Sequence, residues 1–348
     1  MTRWHSSVTA ALVVVGLVQA SHAATIRVPL DQPTIQAGIN AAAAHDTVLV
    51  RCGAYYEDYI LMRPAIVLRG ENGQAGCVLV MAQHLGYTIL CDQGGPDTRI
   101  EGLTLDGGGA GLACTSASPT VSNCAFSNHY GSSILGRHGV QLSQSDATFT
   151  DCIFEANDVG LWADNCSVVS LTNCVFIQNP SSRFSVVSLT NVGSAVLTNC
   201  LFAENAGPCI ATQDCTSLAV VGSTLTGGLH FDNTGATISN SIIAFGPRGA
   251  AVTCIGNATA ELTCCDVYGN QGGDWVGCIA DQADQDGNLA ADPFFCRPRL
   301  FDYQISSTSP CAAANAPPGC GLIGASPVGC GPQAVEASTW GRMKAMWR

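Results

Sequence analysis

Four times this chain places Asn or Asp before Cys, any residue and Phe: Asn123-Cys124-Ala125-Phe126, Asp151-Cys152-Ile153-Phe154, Asn173-Cys174-Val175-Phe176 and Asn199-Cys200-Leu201-Phe202. Looser copies sit at Gly102-Leu103-Thr104-Leu105, Gly222-Ser223-Thr224-Leu225, Asn240-Ser241-Ile242-Ile243 and Cys264-Cys265-Asp266-Val267. The unit recurs every 18 to 28 residues. A period of that size describes one supersecondary element stacked on itself, so the repeat limits the fold before any single residue is weighed.

The central Cys, Leu or Ser defines the geometry. Three residues earlier stand Ile100, Val121, Phe149, Leu171, Leu197, Val220, Ile238 and Leu262; two residues later stand Leu105, Phe126, Phe154, Phe176, Phe202, Leu225, Ile243 and Val267. All are apolar. A spacing of two is a strand signature, and the spacing of three before it requires a bend that keeps both sides facing inward. Asn or Asp precedes the centre in most copies, and these side chains favour left-handed turns. A second strand follows, often opening on Gly: Gly139-Val140-Gln141-Leu142, Gly160-Leu161-Trp162-Ala163 and Gly228-Leu229-His230-Phe231, with Cys209-Ile210-Ala211-Thr212 in the same place. Helical repeats need long 3.6-period stretches and propeller blades need about 40 residues each, so short strands at this spacing predict an all-β parallel solenoid.

Residues 1–23 read as an export signal: Arg3 and His5, the apolar run Val8 to Val18, and small residues ending at Ala23. That run is too short to span a bilayer, and no later stretch supplies a membrane span. Residues 24–46 are expected to form an N-terminal cap whose helix, Pro33 to Ala44, shares Ile35, Ile39 and Ala42 on one face. The repeats occupy 47–310, a Cys/Gly/Pro-rich C-terminal cap 311–330, and a basic, aromatic tail 331–348. Caps are needed because an open solenoid end exposes strand edges.

The formal net charge is −12, which argues against nucleic acid and anionic membranes as partners. Nineteen cysteines in an exported chain invite disulfides. The four motif cysteines fall where other copies carry Leu or Ser, so they are expected as buried free thiols. Cys209 with Cys215, Cys278 with Cys296, and two of Cys311, Cys320 and Cys330 are the expected staples. The chain has no Cys-x-x-Cys pair, which leaves structural zinc without a ligand pattern.

The helix segment Thr34-Ile35-Gln36-Ala37-Gly38-Ile39, then Asp46-Thr47-Val48-Leu49-Val50 and Gly53-Ala54-Tyr55-Tyr56-Glu57, resembles the opening of pectin-lyase-like right-handed parallel β-helix proteins. The central repeats resemble the repeat region of that family. The close, Asp292-Pro293-Phe294-Phe295 through Gly321-Leu322-Ile323-Gly324-Ala325, is similar to the end of many secreted bacterial members. The resemblance covers roughly residues 25 to 330 and implies a right-handed, single-stranded parallel β-helix with an N-terminal capping helix. It does not imply one activity, because the fold hosts lyases, hydrolases, esterases, epimerases and non-catalytic surface proteins. Gly53, Tyr55 and Glu57 match the opening motif of pectin methylesterases, but Leu135-Gly136-Arg137 precedes Asp151-Cys152-Ile153-Phe154, the reverse of the esterase order. The paired aspartates of polygalacturonases and the aspartate cluster of pectate lyases have no counterpart.

Alternation along the second strand points Gln141, Trp162, Ala211 and His230 outward, with Asp164, Gln213 and Asp232 near the strand ends. Gln141, Trp162, Asp164 and Gln213 are therefore the candidate substrate-binding residues, Trp162 as a stacking platform for a sugar ring. Asp214, His230 and Asp232 form the candidate acid/base group. A purely structural role competes, since aspartate is commonplace in turns. Asp92, Asp97 and Asp106 are expected as separate solvated turn carboxylates, with a Ca²⁺ site on successive coils as the alternative; no cofactor is otherwise expected. The leading expectation is a secreted, monomeric, non-catalytic β-helix whose lateral face binds polysaccharide or another cell-surface component. A polysaccharide lyase, hydrolase or epimerase is the alternative, and an extracellular spacer the third.

Overall fold

A computed structural model of the chain describes residues 23–82, 86–130, 138–180 and 183–331. Residues 1–22 of the expected export signal, Arg137, and 332–348 of the tail lie outside these. Among the described residues the chain winds repeatedly through three sheets of parallel strands, here A, B and C. Sheet A runs from Thr25–Val28 to Thr259–Thr263, sheet B from Gly53–Tyr55 to Asp266–Tyr268, and sheet C from Ile60–Met62 to Val252–Ile255.

The apolar columns read from the sequence are the tube's lining. Ile100, Val121, Phe149, Leu171, Leu197, Val220, Ile238 and Leu262 align in register in sheet A, and Leu105 to Val267 align in sheet B; all are buried. Phe126, Phe154, Phe176 and Phe202 form a pile with centroid separations of 5.1, 4.4 and 4.5 Å, the last two pairs within 7° of parallel. Those separations follow the coil pitch, about 4.8 Å for neighbouring strands.

Between sheets A and B the chain bends at a left-handed residue. Asn123, Asp151, Asn173 and Asn199 have φ of 52 to 54°, and Gly102, Gly222, Asn240 and Cys264 occupy the same corner. These residue types recur because a β-branched or bulky side chain is strained there. Each motif thiol sits just inside the bend. Cys124, Cys152, Cys174 and Cys200 are buried and free, and each sulfur lies 3.6 to 3.8 Å from a carbonyl of the preceding coil.

A second internal ladder lines the corner between sheets B and C. The side-chain amides of Asn157, Asn179 and Asn205 donate to Phe126 O, Phe154 O and Phe176 O, while their Oδ1 atoms accept the backbone N–H of His129, Asn157 and Asn179. His129 takes the first rung, its Nε2 lying 3.1 Å from Leu105 O. The ladder satisfies backbone groups that the corner would otherwise bury unpaired.

The glycines that open the sheet C strands are explained by the same packing. A Cβ on Gly160 would lie 2.8 Å from Phe176 Cδ1 and 3.0 Å from Val186 O; one on Gly139 would lie 2.7 Å from Gly160 O. Here the phenylalanine pile and the next strand leave no room for a methyl group. Gly160→Ala is expected to destabilise the fold by about 1–3 kcal/mol through overpacking. An unchanged denaturation midpoint would show that the pile yields.

Both ends are closed by the same device. At the front, helix Ile35–Ala41 buries Ile35 and Ile39 against the first coil, shorter than the expected Pro33 to Ala44 because Ala42 is already extended. Thr34 caps it, and the Glu57 carboxylate accepts the N–H groups of Ile35 and Gln36. Glu57 is thus a helix cap, whatever motif it resembles. The Gln36 amide then pairs with the edge strand, accepting from Leu61 N at 2.6 Å and donating to Leu61 O. At the back, Gln282 closes the 3-10 helix Gly277–Gln282 and repeats this, accepting from Leu262 N and donating to Ala260 O at 2.7 Å each. Each glutamine mimics one residue of a further strand and blocks edge pairing.

Residues after this turn fold back along the outer face of sheet B. Ile305, Cys311 and Ile323 pack on Ile242 and Ala244, and Tyr303 reaches Leu201 and Ala203. The disulfides are Cys52–Cys77, Cys254–Cys278, Cys264–Cys320 and Cys296–Cys330, and all lie in the first coils or the C-terminal part. Three expected pairings are therefore corrected. Cys209 and Cys215 are both free, since they flank the extended strand Ile210–Gln213, whose four residues alone span about 13 Å. Cys278 faces Cys254 across the end cap, which leaves Cys296 to Cys330. Cys320 pairs with Cys264 in the solenoid and Cys311 stays free, so no bond joins two of Cys311, Cys320 and Cys330.

Candidate functional site

Sheet C presents two outward rows. The first runs Leu61, Leu90, Ala113, Gln141, Trp162, Ser188, Ala211, His230 and Thr253; the second runs Asp92, Thr115, Ser143, Asp164, Thr190, Gln213, Asp232 and Ile255. Gln141 and Trp162 are direct register partners. Asp164 and Asp232 share one row but stand three coils apart, on the order of 14 Å.

Trp162 is half-buried and its ring stacks on His138 of the preceding coil, with centroids 5.8 Å apart and planes 29° off parallel. Beside it the Oε1 of Gln141 is buried and accepts no hydrogen bond from any described residue. In the coil of Trp162 only residues 156–158 separate the sheet B strand from the sheet C strand.

The acid/base candidates occupy two neighbouring coils. Gln213 is the register partner of Asp232, so Asp214 stands one position beyond, at the corner into sheet A. Its φ is 53°, its N–H donates to Asp232 O, and its carboxylate accepts from Asn233 Nδ2 at 3.0 Å. The exposed Asp214 thus braces a left-handed corner like those at Asn165, Asn191 and Asn233. His230 is half-buried, and desolvation lowers its pKa, so the ring is held toward the neutral form.

The calcium candidates do not converge. Asp92 lies in a sheet C strand, Asp97 in the following turn, and Asp106 at the end of a sheet B strand. Asp106 Oδ1 accepts from Ser127 Oγ at 2.7 Å and Asn128 Nδ2 at 2.6 Å. Among the described residues no three His, Cys, Asp or Glu side chains are grouped to hold a metal ion.

Sequence reasoning did not reach a cleft on the flank of the solenoid. Tyr303, on the folded-back segment, donates its phenol to Glu204 Oε1 at 2.8 Å across a 99-residue separation. At the rim of the cleft stands Phe245, an aromatic residue at a left-handed corner (φ 56°) and 43% exposed.

A family model described as "Right handed beta helix region" matches residues 87–228. No curated protein matches the chain. Among solved structures, the crystal structure of alginate lyase from Paenibacillus sp. str. FPU-7 is 11% identical, covers 77% of this chain and 98% of its own, and has a TM-score of 0.47. The crystal structure of pectate lyase Pel9A is 11% identical, covers 84% of this chain and 90% of its own, with a TM-score of 0.45. The matched region, and the parallel coils that continue it in register on both sides, show that this chain has the fold of a right-handed parallel β-helix.

Proposed function

We propose that this is an exported β-helix that binds polysaccharide along the outer face of sheet C, and that its task is binding and not bond cleavage. The observation that carries the reading is the half-buried Trp162, stacked on His138 in the outward row of sheet C. An aromatic face receives the C–H face of a sugar ring. Four disulfides support an oxidising destination, and no helix among the described residues is long and apolar enough to cross a membrane.

Hydrolysis of a glycosidic bond by paired carboxylates needs the two groups at the right distance. Glycosidase carboxylates stand roughly 5 to 9.5 Å apart, so Asp164 and Asp232, three coils distant, do not serve as that pair. Asp214 already braces a corner through Asn233. What remains is a row of hydroxyls, amides and separated aspartates suited to many weak contacts.

A polysaccharide array with parallel product detection tests this. Binding without products is expected, with Trp162→Ala weakening it by about 1 kcal/mol, roughly fivefold. New reducing ends or unsaturated uronates, abolished by Asp232→Asn, would overturn the reading in favour of an enzyme. No binding to any glycan would leave a spacer.

A further inference from the structure

The cleft between the solenoid and its folded-back segment is separate from sheet C. Its walls come from three consecutive coils, at Glu204, Thr226 and Phe245, and from Tyr303 and Pro298 on the segment above; Pro247 completes the apolar side. Glu204 and Phe245 occupy left-handed corners two coils apart, about 9.6 Å at strand spacing, and the coil between turns through Thr226-Gly227-Gly228 with no bulky side chain. The cleft is open to solvent and has a volume of about 510 Å³, within the usual range for small-molecule sites.

We propose that this cleft is a binding site for a single neutral pyranose, free or at a chain end. The chemistry of the walls is mixed in the way a sugar requires. Phe245, held edge-on by Tyr268 and Phe295 with centroids 5.7 and 6.1 Å away, offers an apolar surface that does not have to be ordered on binding. Opposite it, the Glu204 carboxylate accepts one hydrogen bond from Tyr303, a fraction of the four an ionised carboxylate can take. Thr226 donates its hydroxyl to Phe202 O and keeps acceptor capacity. The polar side is therefore rich in acceptors and carries negative charge. It suits vicinal hydroxyl donors and repels a uronate. Burial and Glu204 push the Tyr303 phenol up, so it stays a neutral donor.

The test is saturation-transfer NMR and calorimetry on the full chain with methyl glucopyranoside, methyl galactopyranoside, N-acetylglucosamine and, as the anionic counterpart, galacturonate. At least one neutral sugar is expected to bind with a Kd of about 1 mM, and galacturonate about tenfold more weakly at neutral pH. Glu204→Gln, which can still accept from Tyr303, is expected to weaken binding about tenfold, and Phe245→Ala about fivefold. Tyr303→Phe, with thermal unfolding recorded for all three variants, separates loss of the site from loss of the fold. Binding by none of the neutral sugars, or binding that survives both Glu204→Gln and Phe245→Ala, overturns the proposal. So does monosaccharide binding lost in Trp162→Ala, since the signal would then belong to sheet C. Polysaccharide binding that fails while monosaccharide binding holds would remove the sheet C reading and leave this one standing.

Discussion

A Phe154→Ala variant is expected to lose about 3–5 kcal/mol of stability, near the upper end for any single core truncation. Phe154 is fully buried and lies between Phe126 and Phe176, at 5.1 and 4.4 Å, with Phe149 edge-on at 6.1 Å. Removing its ring leaves a cavity with walls from three coils. The neighbours cannot collapse into it, because their backbones are held at coil pitch by parallel ladders on both sides. The position in the array adds to the effect. In a stacked-repeat protein each coil is stabilised by its neighbours, so a weak interface in the middle separates two halves. Chemical denaturation should therefore show an earlier midpoint and, for Phe154→Ala, a shallower slope as the halves part. Phe154→Leu, which refills most of the space, should recover more than half of the loss. A loss below about 1 kcal/mol in Phe154→Ala would mean that the pile is not what holds the coils together.

That column was readable because every element of it is local. Asn173, Cys174 and Phe176 state within four residues a left-handed corner, a small inward side chain and the next inward position, and the neighbouring coils repeat the statement. The glycines before the sheet C strands were visible as a pattern, but their cause was not. Gly160 is needed because Phe176, 16 residues later in the chain, lies against it in space. The two capping glutamines were equally hidden. Nothing near Gln36 or Gln282 distinguishes them until a strand edge appears opposite.

The disulfides and the flank cleft depend on where the chain goes after the last coil. Cys264 meets Cys320 across 56 residues only because the C-terminal segment turns back over sheet B. The Cys209–Cys215 reading failed on a local point: the four-residue strand Ile210–Gln213 holds the two cysteines apart. Glu204 and Tyr303 are 99 residues apart, and neither carries a motif. By contrast, the outward row of Gln141, Trp162, Ala211 and His230 needs only strand alternation, and the register carries it across coils.

The largest pH effect should appear when His129 is replaced by the residue that fills the other rungs of its ladder. His129 is fully buried. Desolvation first, with His138 adding repulsion and Asp106 and the bond to Leu105 O opposing, lowers its pKa to about 4. Between pH 6.5 and 4 the unfolded chain binds a proton there and the folded chain does not. Stability therefore falls on acidification, by about 3 kcal/mol over that window. Asp266 acts in the opposite sense. Buried at the joint with the C-terminal segment, where Ala291 N and Cys311 Sγ reach its oxygens, and near Asp274 and Asp292, it has its pKa raised to about 6. Its folded form holds a proton that the unfolded chain releases above about 3.8, so its contribution is present at low pH and lost as pH rises to 6, again by about 3 kcal/mol. Glu155, raised by burial and by Asp106, works in the same direction as Asp266. The two large terms cancel, and the wild-type denaturation midpoint should change little between about pH 7 and pH 4.5, a floor set above the range in which Asp46 begins to protonate. His129→Asn keeps the donor to Leu105 O that Asn157, Asn179 and Asn205 supply in their own coils, at a cost of about 1 kcal/mol for lost volume at neutral pH. It removes only the acid-sensitive term. The variant should become more stable as pH falls to 4.5, while Asp266→Asn should become less stable over the same range. Parallel pH profiles for the two variants would mean that neither group titrates between the folded and unfolded chains as its burial requires.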